Sequence, residues 1–152
     1  MAVDRAYIDT SLILAILLET EKSNMAQQVL EAYSEYEFII SGTAVNEALY
    51  VATYEYYRQK GEIKGRYSLR KLITKKGYPK EVLDTINSFL KDLDIKIIND
   101  YFEYNEYLRI LREYKLLPND AQIALTCRHN AIRTILTFDE DFKRVPWLKV
   151  IP

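Results

Sequence analysis

The segment RTILTFDEDF (residues 133–142) combines two kinds of sequence within ten residues. Its first half is apolar around Ile135 and Leu136, which is typical of a strand buried on both faces of a parallel sheet. Three carboxylates follow directly: Asp139, Glu140 and Asp141. Ligands of open α/β sheets bind beyond the carboxyl ends of the strands. The segment therefore predicts an α/β fold with an acidic site at one edge of its sheet.

Strand and helix patterns alternate along the rest of the chain. Short apolar runs bounded by polar residues predict strands at 5–9, 37–41, 94–99, 133–138 and 147–152. Helical patterns separate them, at 10–19, 23–36, 42–60, 66–77, 79–91, 100–117 and 118–130. We expect Asn99 to cap the helix that starts at residue 100. This alternation predicts an α/β sandwich, in which helices flank a short, mainly parallel sheet.

The composition predicts one globular domain over residues 1–152. A hydrophobic fraction of 49% in a chain of 152 residues is enough for a sizeable core. The net charge of -1 gives no overall attraction to nucleic acids or to acidic membranes. The longest apolar run near the N-terminus, Leu12 to Leu18, is far shorter than the ~20 residues of a membrane span. We therefore expect no association with membranes.

The cysteine and histidine content favours a cytoplasmic protein without zinc. Cys127 is the only cysteine, so the chain forms no internal disulfide, which fits the reducing cytoplasm. Because His129 is the only histidine, a Cys/His zinc site built within one chain is excluded. We interpret Cys127 as a small core residue and His129 as a surface or capping residue.

Four acidic residues stand near predicted strand ends or helix starts: Asp9, Glu47, Asp120 and Asp139. Each aspartate has an ordinary structural explanation, because aspartate often caps a helix. Glu47 is different, since its neighbours at helical spacing are mostly apolar or aromatic, such as Ala44, Tyr50 and Tyr54. A buried carboxylate without a partner costs several kcal/mol, and the next cation along the helix is Arg58. We therefore favour a functional role for Glu47.

Carboxylates that converge at one edge of a sheet need a counter-charge. Two carboxylates ~4 Å apart at an effective dielectric constant of ~20 repel each other by roughly 4 kcal/mol. A divalent cation removes this repulsion, and Mg²⁺ or Mn²⁺ suits a site made of carboxylates and water. Such ions polarise phosphodiesters and activate water without a histidine base. The acids therefore indicate a Mg²⁺- or Mn²⁺-dependent enzyme that acts on phosphodiesters.

The order of these acids resembles that of the PIN-domain ribonucleases. The resemblance is carried by YIDTS (7–11), SGTAVNEALYV (41–51) and PNDAQIALTCRHNAIRTILTFDEDF (118–142), and it extends from Tyr7 to Ile151. It implies a PIN-like three-layer sandwich and a metal-dependent endoribonuclease whose catalytic, metal-binding residues are Asp9, Glu47, Asp120 and Asp139. Asp141 would be an accessory metal ligand, whereas Glu140 matches no family position. Polar side chains would support these ligands: Thr10, Ser11, Asn119 and Thr137.

The resemblance also implies partners. Many PIN proteins of this size are VapC-type toxins, so we expect the toxin of a type II toxin–antitoxin pair. Its partners would be an RNA substrate, a cognate antitoxin protein and a second copy of the chain in a homodimer.

A basic, tyrosine-rich helical elaboration at about 54–80 distinguishes this chain from more compact family members. We predict nucleic-acid contacts for six of its cations: Arg58, Lys60, Lys64, Arg66, Arg70 and Lys71. Cations follow a phosphate backbone, and aromatic rings stack on unpaired bases. Two other interpretations stay open, namely a solvated face whose tyrosines only pack, and a docking surface for an acidic antitoxin segment.

Three alternative functions fit the sequence less well. A haloacid-dehalogenase phosphatase needs a second acid where Ser11 stands, and a response-regulator receiver needs an acidic pair that YIDTS lacks. A non-catalytic PIN-like module that binds RNA or protein is the alternative from another class. Stabilisation by a divalent metal distinguishes this module from a metal-dependent ribonuclease, because a module without a metal site would not be stabilised.

Overall fold

The computed structural model of the protein describes residues 3–65 and 67–152. Its five strands are β1 (Arg5–Ile8), β2 (Glu37–Ser41), β3 (Lys96–Ile98), β4 (Thr134–Leu136) and β5 (Lys149–Ile151). They form one sheet in the order β3-β2-β1-β4-β5, and each neighbouring pair is parallel.

Seven α-helices in the described part of the chain flank this sheet: α1 (Thr10–Leu17), α2 (Ser23–Ala32), α3 (Gly42–Gln59), α4 (Ser68–Lys76), α5 (Lys80–Asp92), α6 (Tyr104–Tyr114) and α7 (Pro118–His129). A short 3-10 helix, Glu140–Arg144, joins β4 to β5. The predicted α/β class with a parallel sheet flanked by helices is confirmed. None of the helices described is long and apolar enough to cross a membrane.

The core lies on both faces of the short strands, which explains why these strands are continuously apolar. The middle strand β1 is buried along Ala6, Tyr7 and Ile8. The hydroxyl of Tyr7 lies 2.5 Å from Ser41 Oγ and also accepts a hydrogen bond from the Ser41 N–H. This pair satisfies two polar groups inside the core, where an unpaired hydroxyl would be costly.

The start of α6 differs from the prediction. The helix begins at Tyr104, and its cap is Glu103, whose carboxylate accepts from the N–H groups of Asn105 and Glu106. The expected cap at Asn99 is therefore wrong. Residues distant in sequence hold the preceding segment in a non-helical conformation. The carboxylate of Asp100 accepts a hydrogen bond from the N–H of Thr43 at 3.1 Å, and the N–H of Tyr101 donates to Thr126 Oγ1.

The sheet order places the predicted acids at a switch point. The chain runs from β1 to β2 and β3 on one side of β1, and then crosses over to β4 and β5 on the other side. In open α/β sheets a crevice forms at this point, beyond the carboxyl ends of the strands. Asp9 directly follows β1, and its N–H bonds Leu136 O of β4 at 3.0 Å. The chain leaving β4 therefore emerges beside Asp9.

Candidate metal centre

Asp9 is a buried carboxylate that is held by hydroxyl groups. It stands at the N-cap position of α1, and its strongest partners are side-chain hydroxyl groups and not the N–H groups of the helix. Its side chain is 4% exposed, and its Oδ2 accepts from Ser11 Oγ at 2.9 Å and from Thr137 Oγ1 at 2.7 Å. Burial raises the pKa of Asp9, and these two hydroxyl groups oppose the rise.

The two hydroxyl groups also fix the turn after β4. Ser11 Oγ accepts from the N–H of Phe138, and Thr137 Oγ1 accepts from the N–H of Asp139, at 3.0 and 2.9 Å. Ser11 and Thr137 thus link Asp9 to the segment that carries Asp139. Thr10, the other hydroxyl predicted here, instead donates to Ala44 O at 3.2 Å and ties α1 to α3.

Three aspartates lie close together beside this network. One carboxylate oxygen from each of Asp120, Asp139 and Asp141 lies within 4.8 Å of the others. Asp120 is 9% exposed in the first turn of α7. Asp139 Oδ1 accepts from the N–H of Asp141, and Asp141 Oδ1 accepts from Arg144 Nη1 at 2.8 Å. Asp139 therefore does cap the 3-10 helix, while its carboxylate still faces the other acids.

Glu47 belongs electrostatically to the same group. It is half-buried in the second turn of α3. Burial is the first cause that raises its pKa, and the charges of Asp9 and Asp139 raise it further, while a hydrogen bond from the Asn119 side chain opposes the rise. Residues Glu47 and Asn119, predicted from separate helices, thus come together beside the aspartates.

The mutual repulsion of the acids is largest at Asp120. Burial, followed by the charges of Asp139, Asp9 and Glu47, raises the pKa of Asp120 to about 7. The five acids of the site are Asp9, Glu47, Asp120, Asp139 and Asp141. Among the residues described, Arg144 is the one cation that forms an ion pair with any of them, and its partner is Asp141. The cluster thus has far more negative than positive charge, which is the condition under which a divalent cation binds.

The donor set fits Mg²⁺ or Mn²⁺. It consists of carboxylate oxygens, the ligands that these hard cations prefer. Asp120, Asp139 and Asp141 each offer one such oxygen, and these oxygens lie within 4.8 Å of one another. Neither Cys127 nor His129 contributes. Cys127 is buried in the core and His129 stacks on Tyr101, with ring centroids 3.7 Å apart.

A cavity of about 520 Å³ opens beside Asp139. Its lining includes Thr137 and Phe138, the cations Lys22 and Lys143, and the acid Glu140, which pairs with Lys143 at 3.2 Å. The Lys22 ammonium lies 5.2 Å from the centroid of the Phe138 ring. Lys22 is not among the predicted site residues, because nothing in its local sequence links the α1–α2 loop to the end of β4.

Fold and site together define a PIN domain, and the family comparison agrees. The PIN-domain family model matches residues 6–148, and the protein therefore belongs to this family. The family resemblance predicted from the sequence is confirmed.

Relatives and solved structures extend this result. The chain is 27% identical over 153 residues to Ribonuclease VapC6 of Methanocaldococcus jannaschii, and the alignment covers 99% of each. The fold is similar to that of VapBC2 from Rickettsia felis bound to a promoter DNA fragment, with a TM-score of 0.61, 19% identity and 96% of each chain covered. It is also similar to that of Mycobacterium tuberculosis VapC20, a sarcin-ricin loop cleaving toxin, with a TM-score of 0.62, 14% identity and coverage of 97% of this chain and 99% of VapC20.

Proposed function

We propose that this PIN-domain protein is a metal-dependent endoribonuclease and the toxin of a type II toxin–antitoxin pair. The observation that carries the proposal is the group of mutually repelling carboxylates at the switch point of the sheet, where Asp120 has a pKa of about 7. The relative that covers the whole chain is named a ribonuclease, which supports the same activity.

We assign the metal site to Asp9, Glu47, Asp120 and Asp139, with Asp141 as an accessory ligand. Mg²⁺ or Mn²⁺ is the expected ion, because these cations bind carboxylates and water and are common in phosphate chemistry. When bound, the ion polarises the phosphodiester and makes a water molecule a better nucleophile. Asp141 is assigned the accessory role because its carboxylate already forms an ion pair with Arg144.

The protein's own side chains position this chemistry. Ser11 and Thr137 hold the Asp9 carboxylate in one orientation through their hydroxyl groups. Asn119 performs the same task for Glu47. The cavity beside Asp139 gives an RNA strand access to this acid, and Lys22 at its lining offers positive charge to the phosphates, whereas Lys143 is paired with Glu140 at 3.2 Å. Thr10 supports the site only indirectly, through its bond between α1 and α3.

The toxin assignment implies an inhibitory protein partner. A chain of a toxin–antitoxin complex from Klebsiella pneumoniae has a similar fold, with a TM-score of 0.58, 21% identity and coverage of 97% of this chain and 96% of that chain. We propose that a cognate antitoxin binds this protein, and that RNA in the cytoplasm is its substrate.

Cleavage of a panel of structured RNAs tests the proposal. Wild-type protein is assayed with Mg²⁺ or Mn²⁺, with EDTA, and in parallel with Asp120→Asn. A matched control is Asp84→Asn, which removes an exposed acid on α5. We expect cleavage by the wild type and the control, and a loss on the order of 10²-fold or more with EDTA or Asp120→Asn.

Two results would count against this function. Undiminished cleavage by Asp120→Asn would mean that the acidic group is not the catalytic site. Absence of cleavage by folded protein that still binds metal would favour the alternative, a non-catalytic PIN-like module that binds RNA or protein.

A further inference from the structure

Seven of the nine cations of the basic segment (residues 54–80) fall into two groups. In the first group each side chain is already engaged. Arg58 pairs with Glu55 at 2.7 Å, Lys76 pairs with Glu62 at 2.7 Å, and Lys80 pairs with Asp84. Lys60 donates to the Tyr56 hydroxyl at 2.6 Å. Two of the six predicted RNA contacts, Arg58 and Lys60, thus already have partners inside the protein, and a third, Arg66, lies outside the described residues. A fourth, Lys64, is exposed and takes part in no ion pair among the described residues, but it precedes α4 and lies outside the second group.

The second group forms one face of α4. Arg70, Lys71 and Lys75 are exposed and take part in no ion pair within the described part of the chain. Together with Tyr67 and Thr74 they line a surface hollow of about 510 Å³ that contains no acidic residue. We call these three cations the basic face of α4. Three uncompensated positive charges on one helix are a local concentration in a chain whose net charge is -1.

The basic face is held next to the helix that carries Glu47. Leu69 is buried on the other side of α4, and Tyr57 of α3 donates its hydroxyl proton to Gly77 O at 2.9 Å. Arg70 also lines a hollow of about 280 Å³ with Tyr50 of α3. Tyr50 is 60% exposed and follows Glu47 by three residues, which is one turn of helix. The surface therefore runs from the acidic group across Tyr50 to the basic face.

We propose that the basic face of α4 binds the phosphate backbone of a single-stranded part of the RNA, next to the bond that is cut. The inference rests on the proposed ribonuclease function and specifies how that same site receives its substrate. Unpaired cations follow a phosphate backbone, and an exposed aromatic ring such as that of Tyr50 offers a stacking surface for a base. RNA is favoured over an acidic protein segment, because the surface is continuous with the acidic group and includes this aromatic side chain.

Equilibrium binding provides the test. Asp120→Asn protein is titrated into a fluorescent single-stranded RNA, and anisotropy is measured at several salt concentrations. The test variant adds Arg70→Ala, Lys71→Ala and Lys75→Ala. The matched control adds Lys91→Ala, Arg109→Ala and Lys149→Ala, which remove the same charge from exposed cations that make no ion pair in the described residues.

We expect the test variant to bind about tenfold more weakly at low salt, while the control stays close to the parent. The slope of log affinity against log salt should fall by about 2, because each phosphate contact on a single strand contributes roughly 0.7. If the triple variant does not fold, Lys71→Ala with Lys75→Ala should lower the slope by about 1.4.

The outcomes separate this inference from the proposed function. RNA affinity is measured without cleavage. The contribution of the basic face to binding can therefore be determined even if the protein cuts none of the RNAs. In the active background the three substitutions should raise KM for a long RNA and leave kcat unchanged. Equal affinity and slope for the test variant and the control would overturn the inference. So would unchanged RNA binding combined with lost binding of a poly-glutamate peptide, which would identify an acidic protein as the ligand.

Discussion

Asp120 illustrates, at the level of one residue, the conflict between a catalytic site and a stable fold. Its carboxylate is buried near Asp139, Asp9 and Glu47, and this environment raises its pKa to about 7. Ionised Asp120 therefore destabilises the folded, metal-free protein, because the unfolded chain places the same charge in water. Replacement by the neutral isostere asparagine removes that charge.

We expect Asp120→Asn to be more stable than the wild type in EDTA, by on the order of 2 kcal/mol at about pH 8. The advantage should shrink as the pH falls. The folded state holds the Asp120 proton up to a pKa of about 7, and the unfolded state loses it near 3.8. The destabilisation of the wild type thus builds up between these two values and is absent below them.

Urea unfolding at about pH 8 and about pH 5 measures this difference, and the exposed-acid variant Asp84→Asn is the control. Equal stabilities of Asp120→Asn and wild type at both pH values would show that the acids do not repel each other in the folded protein.

Metal binding should reverse the sign of the effect. A ligand that binds only the folded state at 100 times its Kd adds about 2.7 kcal/mol, which corresponds to a rise in Tm of roughly 5–10 °C for a chain of this size. We expect this rise for the wild type with Mn²⁺, and a much smaller one for Asp139→Asn. Glu140→Gln, which changes the exposed neighbouring acid, should respond like the wild type. An equal shift for Asp139→Asn would place the metal elsewhere.

At the level of elements, the N-terminus of α3 depends on a residue far away in the sequence. Ser41 occupies the N-cap position, but its hydroxyl is engaged by Tyr7, 2.5 Å away. Asp100, from the segment after β3, accepts from the N–H of Thr43 at 3.1 and 3.3 Å instead. A Cβ on Gly42 would lie 3.2 Å from Asp100 Oδ2, so a residue without a side chain suits this position.

We expect Asp100→Ala to destabilise the protein by about 1 kcal/mol, because α3 loses its capping carboxylate. Asp100→Asn keeps an acceptor oxygen, so its loss should be a few tenths of a kcal/mol at most. Chemical denaturation of the two variants gives the comparison. If Asp100→Ala is as stable as the wild type, the prediction is wrong, and a hydrogen bond from the N–H of Thr43 to water stabilises α3 as much as Asp100 does.

At the level of the whole molecule, exposed apolar side chains indicate a surface through which two copies of the chain can associate. Large apolar side chains are exposed around the starts of α6 and α7, among them Phe102, Tyr104 and Leu117. Exposed apolar surface of this kind often marks a protein interface.

We predict a homodimer, as the family resemblance implies. Light scattering should then give about twice the 17.9 kDa of one chain. A mass near that of the single chain, at concentrations well above those of the assay, would contradict the prediction.

Local patterns were enough to predict the α/β class and several boundaries. The strand expected at 37–41 is β2, Glu37–Ser41, and the helix expected to open at Pro118 does so. These features depend on residues within a few positions of each other, such as an apolar run or a proline in a first helical turn. The four acids could be identified for the same reason, since each stands at a strand end or on a recognisable helix.

Tertiary structure alone decided how these pieces act together. It joined Asp9 to Thr137 across 128 positions and gave Thr43 its partner Asp100 across 57 positions. The start of α6 was mispredicted for the same reason, because long-range bonds hold residues 100 and 101 out of the helix. Such contacts form between side chains that packing brings together, so they depend on the order of the strands and not on neighbours along the chain.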